Sequence, residues 1–252
     1  EKDVRALQAL HRECGSDADG VAQVWTGVWG DISTFAGTRE QWDVLCEPSN
    51  SWQALSSDDE VKCDRNGRVL LLYVDSGRHR VQLNCPNGFP PEFADLSYLA
   101  GLRIDGALRS TPSDLPIDTL LHHLLNNQNL MELSLPDNDL VGVAPALCDF
   151  RGGYMFASRL SKLRLNKNKL SGAPPVSLTC AHYLETLDLS NNDLAGTLPD
   201  DWSDLASLSF LSFGGNPLIT GALPMSWFPE VTDEPSSYYR LGNLKELDGS
   251  DC

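Results

Sequence analysis

Four segments of this chain overlay on one another, and that self-similarity restricts the fold more than any other feature. They run Leu130–Pro145, Leu160–Pro175, Leu184–Pro199 and Leu208–Pro224. All follow L-x-x-L-x-L-x-x-N-x-L-x-G-x-x-P, the last with one extra residue before Gly221. Their starts lie 30, 24 and 24 residues apart. Degenerate copies extend the array. Val69-LLLYVDSG and Leu99-AGLRIDG keep the L-x-x-L-x-L core, Gly88-FPP keeps the G-x-x-P tail, and Leu241-GNLKELDG reads as a frayed last copy.

Each fixed residue has a physical task. The x-L-x segment is a short parallel strand whose leucines point into a continuous core. The asparagines at 138, 168, 192 and 216 turn inward. Their amides are placed there to bond backbone groups of neighbouring coils. The glycine allows a backbone conformation closed to other residues, and the proline stiffens the return path. One coil cannot bury its own apolar edge, so only the stack is stable.

Acids outnumber bases 35 to 19 in 252 residues, a formal charge of −16. That balance argues against nucleic acid or an anionic membrane surface as partner, since both require a basic footprint. The charge is uneven: residues 1–65 and 198–252 each carry −7, and the repeat region between them only −2. At 41% hydrophobic and 21% charged, the composition is that of an ordered protein. The longest apolar run, Val69–Val74, is too short to span a bilayer, so membrane attachment requires a segment outside this chain. No leader precedes Glu1, which suggests a cytosolic or already processed chain. No asparagine lies in an N-x-[ST] sequon, a pattern suited to an unglycosylated setting.

No signature of catalysis or of cofactor binding occurs: there is no G-x-S-x-G, phosphate loop, G-x-G-x-x-G or H-E-x-x-H. His122 and His123 fall in a helical stretch, Ile117-DTLLHHLL, and project about 100° apart, which does not suit a shared metal. Asp58-Asp59-Glu60 and Asp200-Asp201 read as solvated loop acids, and Asp137-Asn-Asp139 lacks the rest of a calcium loop. The expectation is a non-enzymatic protein without metal or cofactor.

The L-x-G-x-x-P tail resembles the plant-type class of leucine-rich-repeat proteins, which includes receptor-kinase ectodomains and polygalacturonase-inhibiting proteins. The tails Leu198-PDDW202 and Leu223-PMSW227 also look like those of kinetoplastid surface antigens and proteophosphoglycans. The resemblance covers residues 66–249. It implies an α/β solenoid, a right-handed superhelix with a concave parallel sheet, an irregular or short-helical convex side and a disulfide-bearing amino-terminal cap. Asp3-VRALQAL is similar to the family's opening helix. Cys46, Trp52, Cys63, Gly67, Arg68 and Val69 follow the order of the cap's C-x-x-W-x-G-V-x-C and G-R-V, with Glu60-Val61-Lys62 replacing Gly-Val. The expected units are a cap over 1–68, repeats over 69–240 and a frayed last repeat over 241–252.

The cap resemblance implies a Cys46–Cys63 disulfide. Cys148 and Cys180 follow the equivalent Pro145 and Pro175 by three and five residues, which makes them neighbours on adjacent coils and a second candidate pair. Cys14 and Cys85 form a third. Cys252 is the odd thiol, open to pairing with a removed segment, with another chain or with nothing. Oxidised pairs place the chain at the cell surface or outside the cell. Trp25, Trp29 and Trp42 read as cap core, with a carbohydrate platform as the alternative.

The expected function is binding of a protein, peptide or glycan on the concave face. The alternatives are a structural or assembly subunit, joined through its end caps or Cys252, and an inhibitor of a secreted hydrolase. The outward strand positions centre on Lys162, Arg164, Asn166 and Lys167. One coil earlier stand Glu132, Ser134, Pro136 and Asp137; one coil later, Thr186, Asp188, Ser190 and Asn191. Arg103 shares the slot of Arg164, and Phe210 that of Lys162. This is a short basic strip bounded by acids and one aromatic. Two readings stand side by side: Lys162 and Arg164 pair with Glu132 and Asp188 across the strands, or the strip is a binding site.

Overall fold

The leucines of the repeat decide the architecture: Leu133, Leu163, Leu187 and Leu211 at the centres of their strands are all enclosed, and the residues on either side of Leu163 and Leu187 are only half-buried. The computed structural model describes residues 2–14, 47–48, 61–75, 83–109, 115–124, 127–144, 147, 156–176, 178, 180–228 and 241–252. The expectations at Trp25, Trp29, Trp42, Cys46, Trp52, Asp58–Glu60 and Cys148 lie outside these residues.

Nine strands form the main sheet: β1 (Glu47–Pro48), β2 (Val61–Cys63), β3 (Val69–Asp75), β5 (Gly101–Asp105), β7 (Glu132–Ser134), β9 (Lys162–Arg164), β11 (Thr186–Asp188), β13 (Phe210–Ser212) and β15 (Glu246–Asp248). They pair in that order, parallel throughout except for the antiparallel β2–β3 step. The short strands β8 (Val141–Val143), β10 (Lys169–Gly172), β12 (Asp193–Gly196) and β14 (Leu218–Ile219) make a second parallel sheet. It begins where the chain leaves the asparagine, and Gly142, Gly172 and Gly196 sit in it at φ of 97°, 82° and 98°. These are the repeat's glycines, in the conformation that requires them. A two-stranded pair, β4 (Leu83–Asn84) with β6 (Leu108–Arg109), serves the degenerate coils.

The asparagines form a ladder through the core. Asn192 Nδ2 donates to Leu165 O of the preceding coil and Leu189 O of its own, both at 3.0 Å, and its Oδ1 accepts Leu170 N–H at 3.0 Å. Asn168 and Asn216 repeat the set with Leu135 and Leu165, and with Leu189 and Phe213. Asn138 bonds Ile104 O at 2.6 Å and accepts Leu108 N–H at 2.9 Å. All four are buried. The residue before each, Asp137, Lys167, Asn191 and Gly215, turns the corner at φ between 55° and 69°.

Behind the second sheet, the indoles of Trp202 and Trp227 stack with centroids 5.9 Å apart. Their Nε1 atoms donate to Pro175 O and Pro199 O, so the two W tails are a buried spine. A short helix, α2 (Ile117–Leu121), packs on β8 and ends at His122.

At the amino end, α1 (Lys2–Cys14) buries Val4, Leu7, Leu10 and Cys14 on one face. The Asp3 carboxylate accepts Val69 N–H at 2.7 Å, fixing the helix start to β3. Cys14 and Cys85 are bonded, closing a separation of 71 residues. In the chain-entropy model such a closure contributes about 4 kcal/mol. Cys63 and Cys180 are each disulfide-bonded as well.

The last copy is registered three residues later than its first leucine suggests. Leu247 pairs with Leu211, so Leu244, Gly249 and Cys252 take the slots of Leu208, Phe213 and Asn216. L-x-x-L spacing recurs at 241/244 and at 244/247, and only the sheet pairing separates the two readings. Cys252 is therefore a ladder residue: its free thiol donates to Phe213 O at 3.3 Å, with its preceding residue at φ 57°.

Candidate functional site

Strand alternation leaves two rows of side chains on the concave face. One runs Leu71, Gly101, Glu132, Lys162, Thr186, Phe210, Glu246, and the other Tyr73, Arg103, Ser134, Arg164, Asp188, Ser212, Asp248. Arg103 and Arg164 thus share a row and flank Ser134, which their long side chains leave buried.

Glu132 is the hub. Its carboxylate lies 3.6 Å from Arg103 Nε, 3.6 Å from Arg164 Nη1 and 3.9 Å from Lys162 Nζ. Asp188 does not join them: its Oδ1 accepts from Ser190 N–H and Oγ instead, capping the turn after β11. Phe210 is half-buried at the neighbouring slot, past Thr186. Asn166 and Lys167 lie beyond β9, Asn166 half-buried and Lys167 exposed at the left-handed corner.

Three residues not anticipated from sequence extend the cluster toward the cap. Arg103 reaches Asp105 at 3.5 Å and covers the Tyr73 ring, its guanidinium carbon 4.5 Å from the centroid. Tyr73 donates its hydroxyl to Asp75 Oδ2 at 3.0 Å. Asp75 and Asp105 stand side by side on β3 and β5. Burial pushes the Asp105 carboxyl up against the pull of Arg103, and Tyr73 is pushed up to about 12 by burial and the two aspartates. The signal was present in the degenerate copies, where Tyr73-Val-Asp75 and Arg103-Ile-Asp105 put an acid two residues after an outward side chain.

The cluster is held by loose charge pairs rather than tight hydrogen bonds. Arg103 Nε, Asp105 Oδ1 and Asn166 Oδ1 are buried without hydrogen-bond partners, an unusual density of unmet capacity. Among the described residues, no group of three or more His, Cys, Asp or Glu side chains is placed to hold a metal ion. His122 and His123 meet edge to face at 4.9 Å. A concavity of about 420 Å³ lies at the last coil between Leu198, Phe213, Ile219, Leu223, Leu247 and Cys252, where Gly249 takes a slot that holds phenylalanine one coil earlier.

The leucine-rich-repeat family model matches residues 158–218. A 73-residue stretch is 41% identical to the leucine-rich-repeat receptor-like protein kinase PXC2 of Arabidopsis thaliana, a match spanning 29% of this chain and 7% of that kinase. Among solved structures, a plant ice-binding protein superposes with a TM-score of 0.63 at 21% identity, over 99% of this chain and 71% of the other. The BIR3–SERK2 complex from Arabidopsis thaliana gives 0.55 at 25% identity, over 88% and 97%. The Arabidopsis receptor kinase HAESA, in complex with the peptide hormone IDA and the co-receptor SERK1, gives 0.53 at 21%, over 90% and 35%. With the ladder, the double sheet and the glycine corners in place, the chain folds as a leucine-rich-repeat solenoid similar to plant receptor-kinase ectodomains.

Proposed function

We propose that this chain is a non-enzymatic binding module that holds a protein or peptide partner along its concave sheet, at the cell surface or outside the cell. The observation that carries the reading is the charged cluster on β3, β5, β7 and β9. It sits on a hydrogen-bonded sheet, its Arg103, Lys162 and Arg164 side chains are partly exposed, and it is tied by pairs of 3.5–3.9 Å that a partner can replace. A preorganised sheet keeps the entropic cost of binding low. The similar ectodomains act in complexes, BIR3 with SERK2 and HAESA with a peptide hormone and a co-receptor. Disulfide-bonded Cys14, Cys63, Cys85 and Cys180 suit an oxidising compartment. No helix among the described residues is long and apolar enough to cross a membrane.

The test is binding of a partner recovered from native extracts to Arg164→Ala and to Lys169→Ala, the second a control on the other sheet. Arg164→Ala is expected to weaken binding at least about tenfold, with Lys169→Ala unchanged. Equal binding by the two variants would move the site off the concave face.

A further inference from the structure

Three cations on this face converge on one carboxylate that belongs to the protein itself. The Glu132 side chain is only 12% exposed, whereas those of Arg103, Arg164 and Lys162 are 33%, 35% and 42% exposed. Its slot is occupied by Gly101, Lys162, Thr186 and Phe210 on the nearest strands, and an acid recurs in that row at Glu246 of β15, three strands beyond Lys162. An acidic group arriving from a partner would have to displace Glu132 from its pairs and leave that carboxylate enclosed and unpaired, which is strongly unfavourable.

Resting on the concave-face reading above, we infer that Glu132 sets the charge specificity of the site. Its carboxylate occupies the place an acidic ligand group would take, and the face accepts a peptide segment that is neutral or basic where it crosses β5 to β9. A separate observation agrees. The net charge of −16 attracts cationic partners and repels anionic ones at long range.

The experiment uses fluorescein-labelled decaglutamate as the probe, followed by anisotropy in low salt. The native protein is expected to bind it at least tenfold more weakly than Glu132→Gln, and Glu132→Gln/Arg164→Gln is expected to lose the gain. Glu185→Gln removes the same charge from an exposed residue next to β11 and is expected to change binding less than twofold. Glu132→Thr copies Thr186 in the same slot and repeats the measurement with a side chain the sheet already carries. Equal affinity of the native protein and both Glu132 variants, or an equal gain from Glu185→Gln, overturns the assignment. The probe replaces the natural partner, so the two readings fail separately. If Arg164→Ala leaves a natural partner bound while Glu132→Gln gains decaglutamate affinity, the concave-face reading falls and the assignment of Glu132 stands.

Discussion

The asparagine ladder and the concave cluster cross the same coils in the same register, yet they are built by opposite rules. Along the ladder, each amide bonds backbone groups of two coils at 2.6–3.1 Å, and the same residue type recurs at every step. On the concave face, a few residues away, side chains change from coil to coil, the pairs lie at 3.5–3.9 Å, and polar atoms are left over. The interior polar row serves the backbone, which is identical in every coil, whereas the outer row answers to no backbone requirement. Residues fixed by the fold and residues left to vary are therefore separated by only a few positions along each coil.

The sharpest way to break this contrast is Asn192→Ala. It strips partners from Leu165 O, Leu189 O and Leu170 N–H, and about 3 kcal/mol should be lost in urea titration. Lys169→Ala, which removes an exposed 3.0 Å pair with Asp139, should cost under about 0.5 kcal/mol. Equal midpoints for the two would show that the ladder carries no special weight. Cys252→Asn extends the ladder by one rung and should gain about 1 kcal/mol relative to Cys252→Ala; no difference would mean that the last slot is too exposed to matter.

On the concave side the expected effects are smaller. Burial holds the Asp105 carboxyl above its ordinary 3.8. Its contribution is therefore present below that value and is lost as pH rises through the higher folded one, leaving the anion unfavourable at pH 7. Asp105→Asn should raise Tm slightly at pH 7 and converge with the native protein in acid; a lower Tm at pH 7 would make the Arg103 pair the stronger influence. Smallest of all is the Lys162–Glu132 coupling. At 3.9 Å and with Lys162 half-exposed, a double-mutant cycle should return about 0.2–0.5 kcal/mol.

The same division governs what could be read from sequence. Asn138, Asn168, Asn192 and Asn216 announce their role because a backbone requirement repeats, and repetition is visible in a string of letters. The slots of Arg103, Glu132, Lys162, Arg164 and Phe210 followed from counting along the repeat, and the strand pairings agree with that count. Which charges meet followed in part: Lys162 and Arg164 do lie against Glu132, but Asp188, beside Arg164 in register, spends its oxygen on Ser190, a local bond that strand counting does not weigh. Cys252 was read as the odd thiol and is free, but its slot opposite Asn216 did not follow, because L-x-x-L fits both 241/244 and 244/247 and only the pairing of Leu247 with Leu211 sets the phase.

Equivalent atoms recur 24 residues apart at Asn168, Asn192 and Asn216, and each rung asks only for the coil before it. Excising residues 184–207 would join Leu208 to Tyr183 in place of Leu184, set Phe210 beside Lys162 and leave every interior bond a replacement partner. The length of the face is thus a variable independent of its chemistry. A lineage can lengthen or shorten it in whole-coil steps by recombination, while point substitution changes the side chains that each step presents.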